Sequence, residues 1–242
     1  MPSLRTSSAT WWHTSPSSLA PSRTRCWDCA TGNGQAALAL TRHFTEVVAT
    51  DASAEQLAVA FPHPQIDYRC EVAEETTLPD ASIDLVTVAA ALHWLALPAF
   101  YAEVARVLKP GGIFAAWTYQ TEFESTPAVD AVVTHYMRRV LGPYTRPQLQ
   151  HVVTGYRELP FPFPEIPFDP LEIEVHWTLP DLVGLLNTWS SAMAFRRAHG
   201  HVATDTVLPA LTTAWLVDGP ADEARPIRLP LSARIGRAPT VG

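Results

Sequence analysis

The chain comprises 242 residues, 47% of them hydrophobic and 17% charged, enough apolar content to bury a full core as one domain. Its formal charge of −7 argues against a nucleic-acid grip made by bulk electrostatics, and no apolar run approaches the ~18 residues of a membrane span. The three cysteines give no paired framework: Cys26-x-x-Cys29 has redox or zinc spacing, but Cys70 is the only other thiol, so a four-cysteine zinc site is excluded. Two buried strand thiols, no bound metal and a reduced, cytoplasmic setting are the expectation.

Residues 1–23 read as an atypical, disordered leader. They are rich in Ser and Thr, carry no acid, and offer Trp11-Trp12 as their main apolar content. A short first strand over 25–28 then runs into a turn with Gly32 and Gly34 one residue apart, and a helix over 35–43 follows at once. The β-branched run 46–50 predicts a buried parallel strand ending at Asp51. Ser53 is an N-cap for a helix over 53–61 that Pro62 and Pro64 close.

A third strand falls at 66–70, an acidic loop at 71–82, and a strongly apolar fourth strand at 83–89. Phe100, Val104, Val107 and Leu108 fall on one face of a helix over 98–108. Lys109-Pro110-Gly111-Gly112 stops that helix before a fifth strand over 113–117. Strands alternating with helices in this way predict an α/β, Rossmann-like, doubly wound and mostly parallel sheet.

The second half changes character. Helices are expected over 128–141, 147–157, 181–199 and 206–216, with an irregular Pro/Phe-rich stretch at 160–170. Residues 171–178 alternate as a strand with one wet face does. With a last strand over 227–235 they form an antiparallel C-terminal edge.

The glycine turn suits a nucleotide-like ligand, because a strand, a glycine turn and a helix N-terminus converge there. Gly32-x-Gly34-x-x-Ala37 with Asp51 downstream also satisfies a relaxed dinucleotide fingerprint. The acid in front of the glycines separates the two. Asp28 suits the zwitterionic end of an amino-acid-like ligand and is poorly placed beside a pyrophosphate, since like charges repel at close range.

Four stretches in order, Asp28-x-Ala30-x-Gly32-x-Gly34, Asp51, Asp84 through His93-Trp94, and Leu108-Lys-Pro-Gly-Gly-Ile-Phe114, resemble successive motifs of the class I S-adenosyl-L-methionine (SAM)-dependent methyltransferases. Leu92-His93-Trp94 and Thr188-Trp189-Ser190 are similar to the small-molecule branch near trans-aconitate methyltransferase. The resemblance spans about residues 24–237. It implies a single methyltransferase domain over 24–242, with a SAM-binding core at 24–119 and substrate-side helices and edge strands at 120–242.

By position, the resemblance implies that Asp28, Ala30, Gly32 and Gly34 surround the methionine end of SAM. Asp51, with Ala52 beside it, would accept the ribose hydroxyls; Ala73 and Glu74 would border the adenine, and Ala89 and Ala90 the sulfonium side. The competing role for Asp51 is a plain helix N-cap.

Two departures from the family pattern carry expectations of their own. Ala30 stands where the family motif has its first glycine, which is tolerable only with a negative φ. Related enzymes also carry an N-terminal Tyr-Arg-Pro-like segment that helps cover the cofactor. Residues 1–25 show no match to it, which implies a more exposed cofactor or an altered start.

Methyl transfer needs alignment and exclusion of water more than acid–base chemistry. A carboxylate acceptor needs no base. For a hydroxyl or amine, His93 after the fourth strand is the candidate base, and its alternative is a packed histidine closing the strand end. Trp94, Tyr119 and Trp189 are candidate walls of a pocket for a small-molecule methyl acceptor, with neither nucleic acid nor membrane as partner. The alternatives are an NAD(P)-binding oxidoreductase, resting on the glycines alone, and a catalytically weak SAM-binding protein, resting on the leader.

Overall fold

A computed structural model describes residues 24–119 and 124–240; the expected leader lies outside the described residues. The described chain forms two compact units. One holds residues 24–119, 151–171 and 231–240, and the other holds 124–150 and 172–230.

The first unit contains β1 (Arg25–Cys29), α1 (Gln35–Leu40), β2 (Glu46–Asp51), α2 (Ala54–Leu57), β3 (Ile66–Cys70), β4 (Ile83–Ala89), α3 (Leu97–Val107) and β5 (Leu108–Tyr119). The second contains α4 (Pro127–His135), while α5 (Gln150–Val153) falls in the first from residue 151 onward; β6 (Leu171–Trp177), α6 (Leu179–Thr188), α7 (Ser190–His199) and α8 (Leu208–Leu216) lie in the second, β6 from residue 172. A last strand, β7 (Arg225–Arg237), runs through both. The sheet order is β3-β2-β1-β4-β5-β7-β6. Strands β1 to β5 pair in parallel and β7 pairs antiparallel to β5, which is the expected α/β sheet with its antiparallel edge.

The central strands are mostly apolar and almost wholly buried, as strands covered on both faces are. On one face Ala37, Leu40 and Phe44 pack on Cys26, Val47, Ala49, Leu85, Ile113 and Ala115. On the other, Trp27 meets Phe100 edge-on at 6.2 Å, and Phe100 meets Phe114 at 5.8 Å. Phe161 stacks on Phe114 at 5.5 Å, so the irregular Pro/Phe segment closes this face of the core with its rings. The shared register aligns the strand ends: Cys29 pairs with Thr50 and Val88, and Asp51 pairs with Cys70. One edge of the sheet therefore gathers every strand-to-helix turn of the parallel part.

Several boundaries differ from the sequence expectation. Ser53 caps α2 as expected, its hydroxyl accepting the Gln56 N–H at 3.3 Å. The helix nevertheless ends at Leu57, because the Phe61 N–H turns away to the Asn33 carbonyl. The Lys-Pro-Gly-Gly stretch lies inside β5 as a bulge between the pairs Ile83–Leu108 and Leu85–Ile113, with Gly111 at φ +75° supplying the bend. The helix expected over 128–141 passes from α4 into a π-type turn at Tyr136–Val140. That expected over 147–157 shrinks to a 3-10 turn and α5, followed by Gly155 and Tyr156 in left-handed conformations. The helix expected over 181–199 breaks at Trp189, whose extended ψ of 140° separates α6 from α7. Residues 171–177 do alternate buried and exposed as expected.

Phe114 is the ring on which this aromatic face converges. Phe114→Ala should cost about 3–5 kcal/mol of stability, read as a shift in the urea midpoint at unchanged slope.

Candidate cofactor site

The turn between β1 and α1 is fastened from three sides. Asp28 has no exposed surface. Its two carboxylate oxygens accept the Thr31 hydroxyl at 2.6 Å and the Thr87 hydroxyl at 2.7 Å, so one acid ties the turn to β4. The Thr31 N–H donates to the Thr50 carbonyl at 2.9 Å, which ties the turn to β2. Asp51 closes the third side: its oxygens accept the N–H groups of Gly32 and Ser53, each at 2.8 Å. Asp51 is half-buried and is not the N-cap of α2, a place that Ser53 holds.

Asp28 is thus a clamp inside the turn, buried and holding one hydroxyl on each oxygen. The cause is the strand register, which places Thr87 directly opposite Asp28. Burial pushes its carboxyl up to about 6 from 3.8; the Thr31 and Thr87 hydroxyls and the Ala37 N–H pull down, and the charge of Asp51 adds to the rise.

Ala30 departs from the sequence expectation. Its φ is +53°, not negative. The Thr31 and Gly32 hydrogen bonds on its far side fix the chain direction, and the alanine carries the strain. Gly32 and Gly34 are also left-handed, at φ +58° and +83°. A methyl on Gly34 would come within 2.1 Å of the Tyr68 hydroxyl, so β3 closes tightly over the start of α1.

The remaining candidates sit along the same sheet edge, with one exception. Ala52 is exposed and Ala73 buried. Glu74 is committed in part, its carboxylate accepting the N–H of Ala96 at the start of α3 at 2.8 Å. Ala89 and Ala90 are half-buried at the end of β4, and Ala90 is left-handed at φ +52° while donating its N–H to the Trp117 carbonyl. His93 is 7% exposed on a 3-10 turn, Leu92–Trp94, and Trp94, 42% exposed, lies against it with ring centroids 4.6 Å apart. Tyr119 ends β5, half-buried, its hydroxyl pushed up by burial. Trp189 belongs to the other unit, beside Tyr136 with ring centroids 6.2 Å apart.

His93 is hydrogen-bonded: its Nδ1 lies 3.0 Å from the Tyr156 hydroxyl. Burial, with the nearby His151, lowers it to about 4, so it is neutral at physiological pH. Sequence reasoning missed Tyr156, Thr31 and Thr87. Thr87 was visible as the one hydroxyl inside an apolar strand, whereas Tyr156 carried no local signal.

Cys26 and Cys29 are free and buried, and burial raises both thiols. Among the described residues no cluster of His, Cys, Asp or Glu could hold a metal ion, and no helix is long and apolar enough to cross a membrane.

A family model described as a methyltransferase domain matches residues 27–116. A solved structure from Anaeromyxobacter dehalogenans, provisionally designated a type II methyltransferase, is 40% identical and covers 92% of this chain and 93% of its own, with a TM-score of 0.82. The chain belongs to the class I SAM-dependent methyltransferases. A provisionally named methyltransferase of Dictyostelium discoideum is 30% identical over 71% of this chain and 66% of that protein. A Saccharomyces cerevisiae protein with the provisional designation of S-adenosylmethionine-dependent methyltransferase is 26% identical over 53% of this chain and 48% of that protein. The matched stretch thus spans less than two thirds of these curated relatives.

SAM is the cofactor of methyltransferases of this class, and the donor set on the turn fits it better than a pyrophosphate. The Gly32 and Gly34 N–H groups, which a phosphate would need, are already donated to Asp51 and to the Thr31 carbonyl. Each Asp51 oxygen has accepted one N–H and keeps a second lone pair for a hydroxyl donor.

The Asp28 clamp gives a pH signature. Its folded carboxyl holds a proton to higher pH than the unfolded chain does, so its contribution to stability falls as pH rises from about 4 to about 7. Asp28→Asn removes that dependence. The variant should gain roughly 2–3 kcal/mol on the native chain over that window, measured by paired thermal melts. A pH-independent difference would mean that Asp28 titrates at its ordinary value.

Proposed function

We propose that this chain transfers a methyl group from SAM to a small-molecule acceptor, with a carboxylate oxygen as the favoured nucleophile. The observation that carries the reading is Asp51, half-buried behind the glycine turn with a lone pair left on each oxygen. That is what a ribose diol requires, and the residues around it support the rest.

In this reading Ala30, Gly32 and Gly34 shape the space for the methionine end while Asp28 holds them in place from within. Ala52 lies beside the ribose, Ala73 and Glu74 border the adenine, and Ala89 and Ala90 face the sulfonium. SAM supplies, when bound, a methyl group whose bond to sulfur breaks with the electron pair staying on sulfur. The chain's own tasks are alignment and exclusion of water. Trp94 and Tyr119 supply aromatic wall at the ends of β4 and β5. A carboxylate acceptor follows from the similarity of Leu92-His93-Trp94 to the trans-aconitate branch, and from His93, which is neutral and hydrogen-bonded. Residues 24–119 form the SAM-binding core and 120–242 the acceptor side of one methyltransferase domain.

Calorimetry with SAM, S-adenosylhomocysteine and NAD tests the reading. Both adenosyl ligands should bind and NAD should not. Saturable NAD binding with no heat from either adenosyl ligand would overturn it, and adenosyl binding without turnover across acids, phenols and amines would reduce the chain to a binding protein. Asp51→Ala should weaken S-adenosylhomocysteine by about 1.5–3 kcal/mol, the worth of hydrogen bonds to a charged group. Unchanged affinity would leave Asp51 only its backbone contacts to Gly32 and Ser53.

A further inference from the structure

Tyr156 has an unusual setting for a residue without an assigned role. It is fully buried, yet its backbone is left-handed at φ +63°, directly after Gly155 at φ +60°. A bulky residue pays about 1–3 kcal/mol for such a conformation and keeps it only where its surroundings over-determine it. The surroundings here are explicit: its N–H donates to the His151 carbonyl at 2.8 Å, which ends α5 and turns the ring inward. The hydroxyl arrives 3.0 Å from His93 Nδ1, with the rings tilted at 35° and their centroids 5.9 Å apart. The other left-handed non-glycine residues on this sheet edge are Ala30 in the cofactor turn and Ala90 ahead of His93.

Burial raises the phenol, and the Leu92 backbone and the Thr118 hydroxyl pull against that rise. Of the two groups in the contact the phenol is the more acidic and the imidazole nitrogen the more basic, so the hydrogen between them belongs to the phenol. We propose that Tyr156 is a positioning residue that donates to His93 Nδ1 and holds the imidazole as its Nε2–H tautomer, so that the site offers the acceptor a hydrogen-bond donor and not a base.

The tautomer of a neutral histidine is set by the partner of its other nitrogen. Burial keeps both members neutral, pushing His93 down to about 4 and the Tyr156 hydroxyl well above its ordinary value, so no proton moves between them. The neighbouring His151 also acts on His93 and opposes a positive charge there.

The consequence is a constraint on substrate class, and it rests on the methyltransferase reading above. An alcohol, phenol or ammonium acceptor releases a proton when it is methylated, and that proton needs a base. A carboxylate releases none: its oxygen lone pair forms the new bond to carbon, and its negative charge is cancelled in the ester. A donor at Nε2 can hold the carboxylate's other oxygen. It cannot take a proton from a hydroxyl, because its own unprotonated nitrogen is occupied by Tyr156. The site is therefore built for acceptors that arrive already deprotonated.

Long-range proton–nitrogen NMR on the full chain labelled at histidine nitrogen reads the tautomer without any substrate, with the His93 signals assigned by their loss in His93→Gln. The expected result is an unprotonated Nδ1 and a protonated Nε2, unchanged from about pH 5.5 to 8.5. Tyr156→Phe, which keeps the ring, should convert this to a mixture of both tautomers. A protonated Nδ1 in the native chain, or an unaltered spectrum in Tyr156→Phe, overturns the proposal.

A second arm uses citrate and 4-hydroxybenzyl alcohol as acceptor probes, with mass spectrometry of products. Methyl ester from the acid alone fits the proposal, while phenol ether formed by the native chain and lost in His93→Gln overturns it. Failure of adenosyl ligands to bind would sink the methyltransferase reading instead, and the tautomer spectra would still decide the role of Tyr156.

Discussion

A carboxylate buried at the end of β1 accepts two hydroxyls at once, one from the turn that follows it and one from the neighbouring strand. Everything on that edge of the sheet takes its position from this junction. Thr31, held by Asp28, sends its N–H to β2 and its carbonyl to Gly34. Gly32, next in line, donates to Asp51. Two acids with opposite tasks therefore share one turn. Asp28 gives up all contact with solvent and is raised accordingly, whereas Asp51 stays half-exposed and keeps acceptor capacity in hand. Burying a charge is costly, and the two hydroxyls on Asp28 offset that cost only in part, since its carboxyl is still raised.

A short distance along the same edge, electrostatics are handled by removing charge. His93 and Tyr156 are both driven toward their neutral forms and hydrogen-bonded to one another. Backbone strain is spread over the same region at Ala30, Ala90 and Tyr156, and the hydrogen bonds that fix them run to β2, β5 and α5 respectively. Such strain persists only on a rigid frame, here the central strands and the aromatic face centred on Phe114.

The sequence made the parallel sheet legible because the β-branched run at 46–50 and the largely apolar run at 83–89 suit strands covered on both faces. It also placed Ser53 as a cap and residues 171–177 as a one-sided strand. What it could not show was how far elements extend when a tertiary bond competes with helix propensity, as when Phe61 reaches back to Asn33. At the site, the glycines and Asp51 were readable from their spacing. Thr87 as the partner of Asp28 and Tyr156 as the partner of His93 were not, since each pair lies about sixty residues apart and depends on register. The sign of φ at Ala30 was misjudged for the same reason, because residue type alone expressed a preference that the surrounding hydrogen bonds overrule.

The close approach of Tyr68 to Gly34 has a consequence for how this sequence can change. The two positions share one volume, so side-chain size at one is a direct limit on size at the other. A lineage could fill position 34 only after emptying position 68, which would also release the Phe61 carbonyl that the Tyr68 hydroxyl now engages. Substitutions at 34, 61 and 68 should therefore be read as a linked set, in which the order of arrival decides whether the intermediate folds.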